Sequence, residues 1–441
     1  MLSLSLIGFL TILIIVILLI RGNITPIVAL VIVPIIGAFI AGFGFGEIGE
    51  FFNEGIESVI SVVIMFIFAI LFFGIMQDVG LFDPLIHKMV TISRGNVITV
   101  SVSTVFIAAI AQLDGSGAST FLITIPALLP LYQRLKMSPY LLLLLIGGSA
   151  SIMNMLPWAG PLGRAASVLS MDVIELWRPL IPVQAIGMAL MILLAILLGY
   201  LEKRKIERRY GKMEIAAVLE DHVDENKGES IQYSLTRPKF FWLNVLLTTA
   251  VIVVLVWGVI PAGFVFMIGL SVALVINYPN VQDQTERIRA HAPNALTMAS
   301  IILAAGSFLG ILSGTGMLDS IATDLVKILP GMVAPYLHLM IGFLGVPFDL
   351  LLSTDAYYFA LLPVVEQIGT TFGIHSLSTT YAMIIGNIVG TFVSPFSPAL
   401  WLALGLAGLE MGRHIRYSLF WMWGLSIVLL IISVSIGVIE F

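Results

Sequence analysis

Apolar runs mark ten expected crossings of a bilayer in these 441 residues. In lipid, such runs must satisfy their own backbone hydrogen bonds, so the chain is confined to helices. The first five runs are 2–20, 24–41, 58–76, a broken run at 140–169, and 180–200. The second five are 240–260, 262–276, 295–312, a broken run at 380–409, and 418–438. With 59% hydrophobic and 11% charged residues, an ordinary soluble domain is excluded, and the absence of cysteine removes disulfides and thiolate metal sites. The first run has neither a basic leader nor a small-residue cleavage site, so it is expected to be a retained span rather than a signal peptide.

Two stretches do not fit the pattern of simple spans. AQLDGSGASTFLIT, at Ala111–Thr124, places Asp114, Gly115, Ser116, Gly117, Ser119 and Thr120 between apolar arms at 97–113 and 121–131. Each arm looks too short for a span plus its loops, which predicts a re-entrant hairpin over 97–135 with its tip at depth. LLSTDAYYF, at Leu351–Phe359, is a second tip, with Ser353, Thr354 and Asp355, in a hairpin over 337–365. An acid at such a depth marks a functional site, and the paired glycines let backbone approach a ligand closely.

The long polar stretch at 201–239 carries nine Lys/Arg and eight Asp/Glu. Placing it in the cytoplasm as a linker puts 18 of the 21 basic residues inside, leaving Arg178 and Lys327 outside and Arg164 within the membrane. The positive-inside rule therefore predicts a multi-pass protein of the cell membrane with both termini outside.

The halves flanking the linker, 1–200 and 240–441, resemble each other. FFGIMQDVGLFD at 72–83 lies over FLGILSGTGMLD at 308–319, and Pro126 lies over Pro363. GGSASIMNMLP, ending at Pro157, lies over IGNIVGTFVSP, ending at Pro395. Five crossings per half make the repeats inverted. The expected fold is thus an all-α polytopic membrane protein of two inverted repeats, each with a re-entrant hairpin and a broken helix, as in secondary transporters.

Proline opens the two broken spans at PWAGP, 157–161, and PFSP, 395–398. Free helix N-termini there and at the tips attract anions, while C-terminal carbonyls attract cations. Candidate ligand groups are the hydroxyls of Ser116, Ser119, Thr120, Ser353, Thr354, Ser394 and Ser397, the backbone at Gly115 and Gly117, and the amides of Asn154 and Asn387. The two asparagines lie at different offsets from their prolines, and either could instead join helices. Arg164 needs a carboxylate, supplied by an anionic substrate or by a structural partner such as Asp114 or a nearer acid. Asp349 has the same two readings, and His338, the one histidine within the expected spans, reads as packing rather than a proton carrier.

LDGSGASTFLITIPALLPLYQRL, SIMNMLPWAGPLGRAASVL, STDAYYFALLPV and SPFSPALWLALGLAGLEMGRHIR together resemble the citrate–divalent-metal:proton symporter family, CitMHS, of the ion transporter superfamily. The resemblance covers nearly the whole chain. It implies uptake of a citrate–metal complex with protons by a homodimer whose hairpins and broken helices move as an elevator. Asp114 and Asp355 would then serve the metal or the proton. No permanently bound cofactor, catalytic residue or nucleic-acid partner is expected, the divalent metal travelling with the substrate. The nearest rival is a Na⁺- or H⁺-coupled symporter of a dicarboxylate or gluconate; an ion channel and an intramembrane hydrolase fit less well.

The topology is open to a direct check, since the chain lacks cysteine. A cysteine replacing Ser230 should react with an impermeant maleimide only from the cytoplasm, and one replacing Phe441 only from outside. Labelling of both from one side would contradict the inverted arrangement.

Overall fold

The structure, a computed structural model, describes residues 3–21, 24–84, 96–210, 235–257, 259–328 and 333–440. Most of the linker at 201–239, together with Lys88, Arg94 and Phe441, lies outside the described residues. The described chain is helical throughout. Helices α1 (Leu4–Arg21), α2 (Pro26–Ala41) and α3 (Phe45–Asp78) precede the first hairpin, made of α4 (Val97–Ala111) and α5 (Gly117–Arg134). Next come α6 (Pro139–Met153), α7 (Gly160–Val168), α8 (Val173–Trp177) and α9 (Ile181–Tyr210). Beyond the linker lie α10 (Phe241–Trp257), α11 (Ala262–Asn277), α12 (Val281–Gly314) and α13 (Met317–Ile328). The second hairpin comprises α14 (Leu337–Phe343), α15 (Gly345–Phe348), a π-helical segment at Ala356–Leu361 and α16 (Leu362–Thr371). Helices α17 (Ser376–Ile388), α18 (Pro398–Ala407) and α19 (Met411–Ser435) complete the chain.

Among the described residues, six helical stretches are long and apolar enough to cross a membrane: 45–78, 97–114, 173–209, 238–257, 281–314 and 411–435. The protein is therefore an all-α, multi-pass membrane protein. Several helices outrun the apolar runs that announced them. α3 starts at Phe45 rather than near 58 because Glu47, Glu50, Glu54 and Glu57 lie exposed and lower the hydropathy without breaking the helix. α19 starts at Met411, which places His414 inside a helix and buries it, so His338 is not the only histidine held among the spans.

Among the described residues α3 and α12 form the most extensive helix pairing, through glycine. A side chain at Gly55 would overlap the backbone of Gly306, one at Gly310 the carbonyl of Phe51, and one at Gly74 the ring of His291. Where lipid tails are as apolar as the helices, such close approach is what packing can gain from. Asp78 ends α3 with a hydrogen bond to His291 at 2.9 Å and an ion pair to Arg287 at 3.6 Å.

The helix ends sort onto two faces. On one, Ser138 N–H donates to Glu202, Arg237 N–H donates to Val79, and Glu410 N–H donates to Tyr140. On the other, Arg178 donates to the carbonyl of Trp257, Gly8 packs on Met317, and Glu440 N–H donates to Ser378. The first hairpin opens on the linker face, with Gly199 packed on Ser101 and Ile98. The second opens on the face of the termini, where His338 meets the Glu440 carbonyl. Arm length alone does not enforce the first hairpin, since 97–114 could span by length and composition. The tip enforces it. Gly115 adopts φ +74°, and the antiparallel return sets Thr104 Oγ1 2.9 Å from Tyr132 Oη.

Each broken helix is shared between the hairpins. α6 packs on the first hairpin and α17 on the second; past its break, α7 packs on the π segment of the second hairpin, and α18 packs on α5 of the first. Both tips and both breaks are thereby brought into one region of the core.

Candidate functional site

The first tip is held to the first break by a short polar network. Gln112 Nε2 donates to Asn154 Oδ1 at 2.8 Å, Thr120 Oγ1 donates to Gln112 Oε1 at 2.6 Å, and Trp158 Nε1 donates to the Leu113 carbonyl at 2.8 Å. Ser116 N–H donates to Asp114 Oδ1 at 2.8 Å, so Asp114 shapes the turn that starts α5, and Ser116 Oγ caps it by accepting from Ser119 N–H at 3.5 Å. Gly115 lies against the Trp158 carbonyl, and Gly117 against the ring of Phe392 and Ala399; a β-carbon at either would crowd its neighbours.

The second tip meets the second break in the same way. Asn387 Nδ2 donates to Asp349 Oδ1 at 2.8 Å, and Ser394 Oγ donates to the Asp349 carbonyl at 2.6 Å. Ser353 Oγ caps the returning arm by accepting from Ala356 N–H at 3.2 Å. With Pro126 set over Pro363, Gln112 falls over Asp349 and Ser116 over Ser353. Asn154 and Asn387, which sit at different offsets from their prolines, each tie a break to its own tip. Both are buried and hydrogen-bonded across elements, the joining role that their spacing left open.

The halves are joined by charge. Arg164, in the first turns of α7, donates from Nε to Asp355 Oδ1 at 2.7 Å, with the two side chains 10% and 12% exposed. The partner of Arg164 is therefore the second tip's acid and not Asp114, which forms no ion pair among the described residues. Gly160 lies beneath the guanidinium, where a side chain would collide with Nη1. Asp355 also opens the π-helical segment 356–361, a departure from α-helix that recurs at functional sites.

Thr354 and Ser397 are half-buried at the second tip and at the start of α18, and neither side chain bonds another described residue. His338 is buried at the open end of its hairpin, away from the tip. His414 Nε2 donates to the Phe392 carbonyl, 3.0 Å away, beside the second break. Sequence inspection passed over Gln112 and Trp158. The signal for Gln112 was its position over Asp349, and for Trp158 its place inside PWAGP. Among the described residues no three His, Asp or Glu side chains gather into a metal site. What the region offers is an arginine, two acids in different surroundings, hydroxyls, and the starts of α5, α7 and α18, whose unpaired N–H groups favour an anion.

The ion pair and the chemistry can be separated by experiment. Removing one partner of a buried pair costs roughly 3–5 kcal/mol, whereas replacing both with neutral groups is often near neutral. Arg164→Gln and Asp355→Asn should each lower the melting temperature in detergent, and the double variant should recover most of that loss yet remain without transport. Recovery of transport in the double variant would make the pair purely structural.

Residues 2–386 match the CitMHS family model, described as citrate transporter. The chain is 37% identical over 438 residues to a citrate transporter of Bacillus subtilis, covering 99% of this chain and 100% of that one. It is 36% identical over 440 residues to a Mg(2+)/citrate complex secondary transporter of the same organism, covering 99% of each. The crystal structure of the YdaH transporter from Alcanivorax borkumensis shares the fold, with a TM-score of 0.60, 14% identity and 88% coverage of each chain.

Proposed function

Because the chain belongs to the CitMHS family of citrate transporters, we propose that it imports citrate as a divalent-metal complex in symport with protons. Membership of a transporter family makes it a transporter and not an enzyme. The observation that carries the substrate is Arg164, buried where the first break meets the second tip and bonded there only through Nε to Asp355 among the described residues. Its two terminal amino groups form the planar fork that holds a carboxylate.

Charge favours the complex over bare citrate. Free citrate near neutral pH is mostly trivalent, and one bound divalent metal leaves about one net negative charge on the complex. Divalent metals of the Mg²⁺ class are commonly held through a few carboxylates and the substrate's own oxygens. A site with one arginine, several helix N-termini and two acids suits that complex. Asp114 would face the metal or hold a proton, Ser116, Ser119, Thr120, Ser353, Thr354, Ser394 and Ser397 would offer hydroxyls, and Gly115 and Gly117 backbone. Asn154 and Asn387 would hold the breaks to the tips.

The proposed architecture is two inverted repeats, 1–200 and 240–441, joined by a cytoplasmic linker at 201–239, with both termini outside. Support comes from the opposite openings of the hairpins and from the α3–α12 pairing. In the register that sets Phe72 over Phe308, Gly74 falls over Gly310 and Gly55 over His291, so the close contact of Gly74 with His291 is repeated by that of Gly310 with Gly55. Each half, with its hairpin at 97–135 or 337–365, would contribute a tip and a break to a unit that moves as an elevator. The assembly would be a homodimer, as the family resemblance implies.

Uptake of radiolabelled citrate into proteoliposomes at a fixed inward proton gradient tests the reading. Excess chelator should abolish uptake by the unmutated protein, and Arg164→Lys should weaken apparent affinity by roughly tenfold, about 1.4 kcal/mol. Equal accumulation in chelator would make a bare organic anion the substrate.

A further inference from the structure

Of the three acids at the tips, Asp349 ties the second tip to its break but is given no role toward the substrate or metal in the reading above. Asp349 is 2% exposed; Oδ1 accepts from Asn387, and Oδ2 has no hydrogen-bond partner among the described residues. Among the described residues it forms no ion pair, unlike Asp355, and it shapes no turn, unlike Asp114. Gly390 leaves the space that Oδ2 occupies, since a side chain there would overlap that oxygen. At the matching position of the first hairpin stands Gln112, a neutral group that donates to one neighbour and accepts from another.

A buried carboxylate with one bare oxygen and no cation is a costly charge, and a bound proton removes it. Protonated Asp349 is the neutral counterpart of Gln112. The groups that face it leave that role to Asp349 alone. The break beside it contributes Asn387, Gly390 and Ser394, none of which titrates. α19 contributes Trp423 and Ser426, bonded to the carbonyls of Phe343 and Gly386, while its His414 is engaged at Phe392. The hairpin itself contributes Tyr357, bonded to the Met383 carbonyl, and Tyr358, whose hydroxyl is buried without a partner among the described residues.

We propose that Asp349 binds the coupling proton at Oδ2, an inference that rests on the proton-symport reading above. The proton comes from water on the side to which the site is open and forms the O–H bond at Oδ2. It returns to water on the other side when that bond breaks, so no other group need be consumed.

The test uses the full chain in proteoliposomes with Mg²⁺ and citrate. Asp349→Asn, a fixed neutral form, should keep Mg-citrate counterflow within about twofold of the unmutated rate. It should lose accumulation driven by a pH gradient, and lose the proton uptake seen by an internal pH dye. Gradient-driven accumulation with proton uptake in Asp349→Asn overturns the inference. If the unmutated protein also shows neither, proton symport itself fails. Should Asp349→Asn not fold, Gly390→Ala crowds Oδ2 while keeping every titratable group. It should displace the pH profile of uptake by roughly half a unit or more, and a superimposable profile overturns the inference.

Discussion

An arginine at membrane depth has to be met by negative charge, and in this chain the charge comes from the other half of the sequence. The Arg164–Asp355 contact spans 191 positions and pins the start of α7 to the second hairpin. Arg164 could not stand there without it, because an unpaired guanidinium in hydrocarbon is expensive. The same contact fixes where a substrate carboxylate would be met, since it engages Nε and leaves the terminal amino groups of the fork without a bonded partner among the described residues. Stability and recognition thus draw on one side chain. Losing Asp355 would disturb both.

Around that contact the two hairpins repeat one local solution. A serine caps each returning arm, and an asparagine ties each break to its tip. The broken helices then cross to the opposite hairpin, α7 to the second and α18 to the first. Neither tip can shift without carrying the broken helix that packs on it. That coupling is what the proposed elevator motion needs, with α3 and α12 packed through glycine as the partner against which such a unit would slide.

Much of this was legible in the sequence because bilayer physics is strict about length and charge. The apolar runs announced the helices, and the tips announced themselves as Asp, Gly, Ser and Thr where only apolar residues should be. Helix ends were less legible: Glu47 to Glu57 ride on α3 as an exposed acidic face, which hydropathy cannot distinguish from a loop. Partners were least legible of all. Nothing near Arg164 in sequence points to Asp355. The equivalence of Asn154 and Asn387 was hidden because their offsets from proline differ, and geometry alone shows that each serves its own tip. Gln112 was missed for a related reason, its counterpart being an acid and not an amide.

On the proposed reading, citrate and metal travel together through the site that Arg164 organises. Radiolabelled citrate and a radioactive divalent metal, counted on the same filters from one proteoliposome uptake experiment, test it most directly. The two labels should rise together at one metal per citrate, and both should be lost in Arg164→Ala. Citrate accumulating while the metal stays outside would contradict it.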